Sequence, residues 1–422
     1  MRKIVLTISL LLSIGCATYT SKMELSRDYY HQGRYEDALA GINELVDKAG
    51  GNDISLYLLE RGKIYLAAGE YDLAITDLQA AVTRFWEIEG TVSIADLFKN
   101  TLLNPGMGEY QPDTYEKILV NCYLLLAYWL KGDEEGAFVE RNRIIGRIRQ
   151  YTDGGAEEER KDLDFTFARY LAALLYEVEG LEDDARIEYA EIERLHPGLT
   201  PPAVNPHLTE VAVFTEIGRA PVKVSTEIRG YLQKEGDELL GFFTFPDAPA
   251  PLVFRTGVGE DLKIDRPGVL FTFAFPQYIK QERVAHSCKV VIDGIEAGEA
   301  VPLDAVEETA MSAFQRKLGL VLLKSAFRTY LKTVAQTKLK DEAGGVVDVL
   351  GKVFSAVDRA DTRSWQTLPA EIQLFRLEST PGTHEVYIKY LSEDGEVVRI
   401  SERVTFSMMK GRKGIVYVPG AD

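Results

Sequence analysis

The sequence predicts a mixed α and β chain: an N-terminal α-solenoid of stacked helical hairpins, then an α+β domain with antiparallel strands and one long helix. Three observations carry this reading. A tyrosine, glycine and alanine recur at fixed spacing in helix-forming sequence, as Tyr29, Gly33, Ala38; Tyr65, Gly69, Ala74; Tyr128, Gly132, Ala137; and Tyr176, Gly180, Ala185. The segment HPGLTPPAVNPHL (196–208) holds four prolines, which stop a helix and stiffen a connection. Beyond it the apolar spacing of three and four gives way to short β-like runs. The boundaries that follow are a leader over 1–15, a repeat region over 16–196, a linker over 197–210 and an α+β domain over 211–422.

The leader comes first. Arg2 and Lys3 precede eleven apolar or hydroxyl residues, Ile4 to Ile14, too few to cross a bilayer as a helix but suited to an export signal. The following "LSIGC" resembles a bacterial lipobox, which makes Cys16 the lipid attachment site; Ser13 departs from the usual leucine, with Leu12 one place upstream. Ala17 resembles the sorting pattern for the outer membrane. The expectation is a chain anchored on the periplasmic face of the outer membrane of a Gram-negative cell by acyl chains, each buried methylene adding about 0.8 kcal/mol. An ordinary secretory leader with a chance Gly-Cys is the alternative.

The repeats have a physical logic. Glycine takes a positive φ after one helix, and alanine early in the next lets the two axes approach closely. Tyrosine in the last turn of the first helix fills the space against a neighbouring hairpin, and each hairpin leaves an apolar face that stacking covers. The pattern resembles the tetratricopeptide repeat. Leu58, Gly62, Tyr65, Gly69, Tyr71, Ala74, Leu78 and Ala81 match family positions in the second unit, and the fourth ends at Pro197; Glu134 and Glu182 stand where an aromatic belongs in the third and fourth. The glycines are spaced by 36, 63 and 48 residues, so segments are inserted, the first being Phe85 to Lys117. It reads either as a functional loop or as a helix with a packing loop. The resemblance implies a groove lined by the first helices, at Arg27, Tyr30, Lys63, Leu66, Leu126 and Trp129, suited to a peptide or acidic segment of a protein partner. Leu126 and Trp129 fit equally well beneath the inserted segment.

In the second half the strand-like runs are VAVF, PVKVS, LLGFFTF, VLFTFAF and KVVIDGI within 211–300. A long helix over 304–342 starts from Asp304 as N-cap, with Glu307 as its capping-box partner. The final runs, within 370–418, are EIQLFRL, HEVYIKYL, VVRISERVTF and IVYV. The helix thus interrupts two groups of strands in one domain; a separate C-terminal sandwich is the alternative. Lys317, Lys324, Arg328, Lys332 and Lys338 fall near one side of that helix, either as a contact for an anionic surface or as a solvated face.

Chemistry is harder to find. The net charge is −17, and loss of Arg2 and Lys3 with the leader makes it −19, a balance that disfavours nucleic acid. Beyond Cys16, Cys122 and Cys288 lack metal-ligand spacing; an oxidising compartment allows them to pair, but Cys122 lies in an apolar helix and reads as an inert buried thiol. The histidines His31, His196, His207, His286 and His384 are scattered. No GxSxG, Walker loop or dinucleotide fingerprint appears, and TGVGEDL (256–262) lacks the required lysine. The expectation is therefore no enzyme, no metal and no cofactor.

Three stretches together resemble a family of uncharacterised tetratricopeptide-repeat lipoproteins of Gram-negative bacteria: Tyr115 to Arg143, GRAPVK (218–223) and ADTRSWQTLPAEIQLFRL (360–377). The resemblance implies an association with small lipoproteins related to activators of penicillin-binding proteins. Within the last stretch, Asp361, Arg363, Trp365 and Pro369 read either as a binding site or as a structural hinge, with Trp365 buried where the long helix meets the final sheet. The reading overall is a membrane-anchored scaffold recruiting other envelope or cell-wall synthesis proteins. The rivals are a hydrolase of wall polymer and a carrier that holds sugar or lipid in its β-rich domain.

Overall fold

The computed structural model describes residues 18–91, 108–154, 165–197, 199, 209–235, 238–244, 251–257, 269–319, 321–322, 325 and 360–420. Cys16, the middle of the inserted segment, most of the proline linker and the cationic positions Lys324, Arg328, Lys332 and Lys338 lie outside them.

The first half is a run of helical hairpins: α1 (Tyr19–His31) with α2 (Tyr35–Lys48), α3 (Ile54–Ala67) with α4 (Tyr71–Thr91), α5 (Thr114–Lys131) with α6 (Glu134–Gly154), and α7 (Thr166–Glu179) with α8 (Glu182–Leu195). All four corners are built alike. Gly33, Gly69, Gly132 and Gly180 take φ of +72°, +79°, +87° and +81°. In each, the residue after the glycine donates its N–H to the carbonyl of the repeat tyrosine at 2.8–2.9 Å, and its own carbonyl then accepts the N–H of the repeat alanine. That is the helix stop in which a left-handed glycine lets the chain turn back and satisfy orphan carbonyls, and the same residue starts the next helix. The four alanines are fully buried and the four tyrosines pack against the core. Tyr128 reaches the preceding hairpin, its hydroxyl accepting the side-chain N–H of Gln79, and its ring occupies the space a side chain at Gly136 would need. Each hairpin packs on the next, α2 on α3, α4 on α5 and α6 on α7.

The second half holds thirteen strands among the described residues, in three sheets. Sheet A orders β13 (Lys413–Val418), β1 (Glu210–Ile217), β9 (Glu371–Glu378) and β8 (Val301–Asp304). Sheet B orders β4 (Leu252–Gly257), β3 (Glu238–Thr244), β2 (Val222–Glu235) and β5 (Val269–Ile279). Sheet C orders β11 (Val397–Ile400), β10 (Gly382–Leu391), β6 (Ser287–Ile292) and β7 (Ile295–Glu299), with β12 (Val404–Met408) also on β10. Pairing is antiparallel apart from β1 with β13, which is parallel. Strands from before and after the long helix interleave, β1 between β9 and β13 and β6 against β10, so the two groups make one body rather than a separate terminal sandwich.

Sheet A is the middle layer. All eight residues of β1 are buried. The two-residue period of a strand sends Val211, Val213 and Ile217 into a core shared with Val290, Ile388 and Tyr390 of sheet C, while Ala212 and Phe214 join the core of the hairpin array. Phe214 meets Phe167 of α7 edge-on at 5.4 Å between centroids.

The helix after β8, α9, is described over 306–319 and rests Phe314 on Phe275 and Tyr278 of β5. Asp304 is not its N-cap. It ends β8, and its carboxylate accepts the N–H groups of Thr166 at 3.1 Å and Phe167 at 2.6 Å, capping α7 across the junction. Glu307 pairs with Lys280. A carboxylate at a helix N-terminus satisfies orphan donors and meets the positive end of the helix dipole. Replacing Asp304 with alanine is expected to cost about 1–2 kcal/mol in a denaturant titration, and Asp304→Asn less than Asp304→Ala.

Candidate functional site

Arg27 and Lys63 of the expected groove and Arg363 and Trp365 of the 360–377 stretch meet at the seam between the hairpin array and the second half. Residues 360–370 carry no regular secondary structure and run along the first helices α1, α3 and α5, the side on which a groove was expected. The groove is filled by the chain itself.

Two buried glutamates hold the segment by its backbone. Glu60 of α3 accepts the N–H of Gln366 at 2.7 Å and of Thr367 at 2.9 Å, as well as the hydroxyl of Tyr19 at 2.9 Å. Glu116 of α5 accepts the N–H of Trp365 at 3.1 Å, the N–H of Asp113 at 2.7 Å and the hydroxyl of Tyr110 at 2.6 Å. Burial pushes Glu60 up to about 7, against the pull of its donors, and raises Glu116 as well, with the nearby Asp113 adding to the effect.

Side chains add selectivity. Trp365, 1% exposed, lies edge-on to Tyr123 at 5.8 Å and donates its indole N–H to Thr367 at 2.9 Å. Arg363 pairs with Asp361 at 2.7 Å and Asp53 at 3.1 Å, and donates to the carbonyls of Gly108 at 2.8 Å and Asn52 at 3.2 Å. Arg27 donates to the side chain of Gln366 at 2.9 Å. Trp365 therefore buries as expected, in the core cluster that also holds Val306 and Ala310 of α9, and Pro369 is buried with it. Arg363 thus has one partner two residues away and three in the array and the inserted segment. Gly108 and Tyr110 place the described end of the inserted segment in a packing role here.

This changes the place of the expected partner surface. Arg27, Tyr30, Lys63, Leu66 and Leu126 are buried and not open to a protein in solution, while Trp129 is half-buried against the core. Lys63, 0% exposed, donates to both oxygens of Glu216 at 2.7 and 2.9 Å and to the hydroxyl of Tyr417; Tyr123 donates to the same carboxylate at 2.7 Å. Burial lowers Lys63 from its ordinary value while Glu216 opposes that shift. Lys317, from the cationic stripe, pairs with Asp113 at the start of α5. Cys122 and Cys288 are buried free thiols, unpaired.

A second charged cluster closes the far end. Arg376 of β9 bridges Glu177 of α7 at 3.2 Å and Glu210 of β1 at 2.8 Å, and donates to Tyr189 of α8 at 2.6 Å. Lys413 of β13 joins both carboxylates. Glu60, Glu116, Glu177, Glu216 and Arg376 were not anticipated from the sequence. The signal for them was a charge sitting in the buried phase of an otherwise apolar helix or strand, as Glu60 does in ISLYLLERGKIYLA and Glu216 in EVAVFTEI.

The stretches that suggested a family also meet here. Glu116 and Tyr123 come from the first, the N–H of Ala220 in GRAPVK donates to the carbonyl of Leu368 at 2.9 Å, and Arg219 pairs with Asp28 at 3.0 Å. Comparison with protein-family models and with curated proteins finds no match. Among the described residues no group of histidine, cysteine and carboxylate side chains is arranged to hold a metal ion, and no helix is long and apolar enough to cross a membrane.

The protonation of Glu60 gives a testable sign. Between its ordinary value of 4.5 and about 7 the folded chain keeps a proton that the unfolded chain releases, so this group's contribution to stability declines as pH rises through that window. The full effect is about 3 kcal/mol. Glu60→Gln mimics the protonated form, so the stability difference between wild type and variant is expected to shift in favour of the variant from about pH 5 to about pH 8 in paired denaturant titrations. At the other cluster, Arg376→Met leaves Glu177 and Glu210 with Lys413 as their shared cation, and Glu177 with the Tyr189 hydroxyl as well. It is expected to lower unfolding free energy by about 3–5 kcal/mol, read from the same titration.

Proposed function

We propose that this chain is a lipid-anchored scaffold of the periplasm, built on a tetratricopeptide-type solenoid and recruiting other envelope proteins, in keeping with the lipoprotein family its motifs resemble. The observation that carries the reading is the array itself: four hairpins with corners built alike, joined to a β-rich body by buried ion pairs. The titratable groups described at the seam bond to one another and hold the two halves together, which is work of shape rather than of turnover. With the groove filled, recruitment falls to the outer faces, where the second helices leave Leu73, Trp86, Val139 and Ile187 exposed.

Two measurements in intact cells test this. Cys16→Ala is expected to move the chain from the membrane fraction to the soluble one. A photo-crosslinking residue placed at Leu73, Val139 or Ile187 is expected to capture discrete envelope proteins, identified by mass spectrometry. A chain that stays in the membrane fraction without Cys16 contradicts the anchor, and adducts absent from every outer position contradict the scaffold.

A further inference from the structure

The first described helix begins close to the lipid attachment site read from the sequence. Four peptide units separate Cys16 from Thr20 of α1, a contour of at most about 14 Å. Thr20 is fixed to the second half of the chain, its hydroxyl donating to the carbonyl of Lys223, near the start of β2, at 2.7 Å. Acyl chains on Cys16 therefore enter a bilayer within that reach of the start of α1 and of the end of sheet B that it touches.

Three exposed aliphatic side chains surround this point. Ile279 of β5, 46% exposed, lies opposite Val222 of β2, one residue from Lys223. Leu25, 59% exposed, stands in the second turn of α1, three residues before Asp28. Asp28 pairs with Arg219 at 3.0 Å, the Arg283 side chain packs against the neighbouring Gly218, and the next residue, Val284, is 49% exposed. Leu25, Val284 and Ile279 are thus tied, through Asp28, residues 218–219 and the end of β5, to the surroundings of Thr20. The charged groups among them largely neutralise one another. Asp28 has Arg219 and Arg27, Glu307 has Lys280, and Glu371 has Arg283. Lys223 is withdrawn over the ring of Tyr278, faced by Glu116, Asp361 and Asp113, the last also paired with Lys317. Lys22, Glu24 and Glu282 are exposed. Such a balance neither strongly attracts nor repels anionic head groups, so contact with lipid here draws on apolar burial. A second apolar group, Val397, Val398 and Ile400 of β11, is held at the opposite end of α1, where Arg399 donates to the carbonyl of His31. The rise of α1 puts about 17 Å between Thr20 and His31, so the tether selects the first group.

We propose that Leu25, Ile279 and Val284 form a bilayer contact, entering the boundary between head groups and acyl chains beside the anchor and fixing which way the hairpin array faces. This step rests on the lipid-anchor reading of Cys16. The contact converts a point of attachment into an orientation: the start of α1 lies on the membrane with the adjoining ends of β2 and β5, and β11 stands off it.

The test uses the full acylated chain in vesicles of phosphatidylethanolamine and phosphatidylglycerol, some of them carrying a nitroxide on the acyl chain near the head group. The single variants Leu25→Cys, Ile279→Cys, Val284→Cys and, for comparison, Val397→Cys carry a fluorophore; Cys122 and Cys288 are buried. Flotation with the vesicles reads the anchor and quenching reads the contact, so the two fail separately. Among chains that float, quenching at 25, 279 and 284 is expected to exceed that at 397 several-fold, and equal quenching at all four overturns the proposal. A second measurement asks whether the aliphatic side chains hold the surface down. With the fluorophore at 25, the double variant Ile279→Asp, Val284→Asp is expected to lose most of the quenching while still floating, because carboxylates resist entry into the boundary. Both positions are exposed, so the fold does not depend on them. Unchanged quenching in that variant leaves the tether alone to position α1 and overturns the proposal. A chain that does not float contradicts the anchor, and the contact falls with it.

Discussion

A strand buried on both faces must find an apolar neighbour or a charge partner for every side chain, and β1 meets that demand in two ways. Toward sheet C it offers Val211, Val213 and Ile217. Toward the hairpins it offers Ala212 and Phe214, but also Glu210 and Glu216. A carboxylate in that layer is tolerated only with a cation or several donors beside it, because an uncompensated buried charge costs several kcal/mol. Lys63 and Tyr123 supply them for Glu216, and Arg376 with Lys413 supply them for Glu210. Half of each arrangement belongs to the array and half to the β body where Lys63, Tyr123 and Glu177 are concerned, so neither half can withdraw without leaving ions in an apolar layer.

The same demand explains why the groove is occupied. Glu60 and Glu116 are nearly devoid of solvent exposure, and each needs donors that the helices carrying them do not have to spare. A segment that turns at Gln366–Thr367 beside α1, α3 and α5 provides three main-chain donors in a row. Asp304 extends the principle to a helix end, with a β8 side chain satisfying the first N–H groups of α7. Rigidity at the seam is thus a consequence of polar satisfaction, with apolar packing by Trp365, Phe167 and Phe214 setting the spacing.

Local rules of the sequence were legible because local physics enforces them. A glycine at +80° φ or so, four residues after a tyrosine and five before an alanine, follows from closing one helix and opening the next within a few residues, and all four corners obey it. Strands with a clear period, such as β1, β6 and β10, were visible for the same reason. The run VVRISERVTF, read as one strand, is two, β11 and β12, interrupted at 401–403, where Ser401 bonds back to Ile388 of β10. Asp304 shows the limit: its place before an apolar run, with Glu307 three residues on, satisfies every local criterion for a cap, yet the donors it serves are 138 residues away in sequence at Thr166. Partners of that kind depend on which surfaces meet, and no window of the sequence contains both. Lys63 was named from the repeat resemblance, but its meaning was inverted, since a cation facing a groove reads as a contact for something absent until Glu216 is seen to fill it.

The row of acidic residues along the corner edge raises a similar choice between ligand and structure. Glu36, Asp37, Asp72, Glu134, Glu135, Glu182, Asp183 and Asp184 all fall in the first turns of the second helices, one group per hairpin. Helix dipoles favour carboxylates at that end by about 0.3–1 kcal/mol each, and four parallel second helices bring four such ends to one edge of the array. Several are also paired, Asp37 with Arg34, Asp72 with Lys131, Glu134 with Arg412 and Glu182 with Arg186. The dipole term and these pairs account for the positions without invoking a ligand. What remains is an excess of carboxylates over their paired cations at these helix starts. The field of that excess favours the approach of cations and opposes that of acidic chains at distances up to roughly a Debye length, about 10 Å at moderate salt. The repeat architecture thereby imposes a charge preference on anything that docks near its corners, and it does so through the same first-turn carboxylates that stabilise each helix.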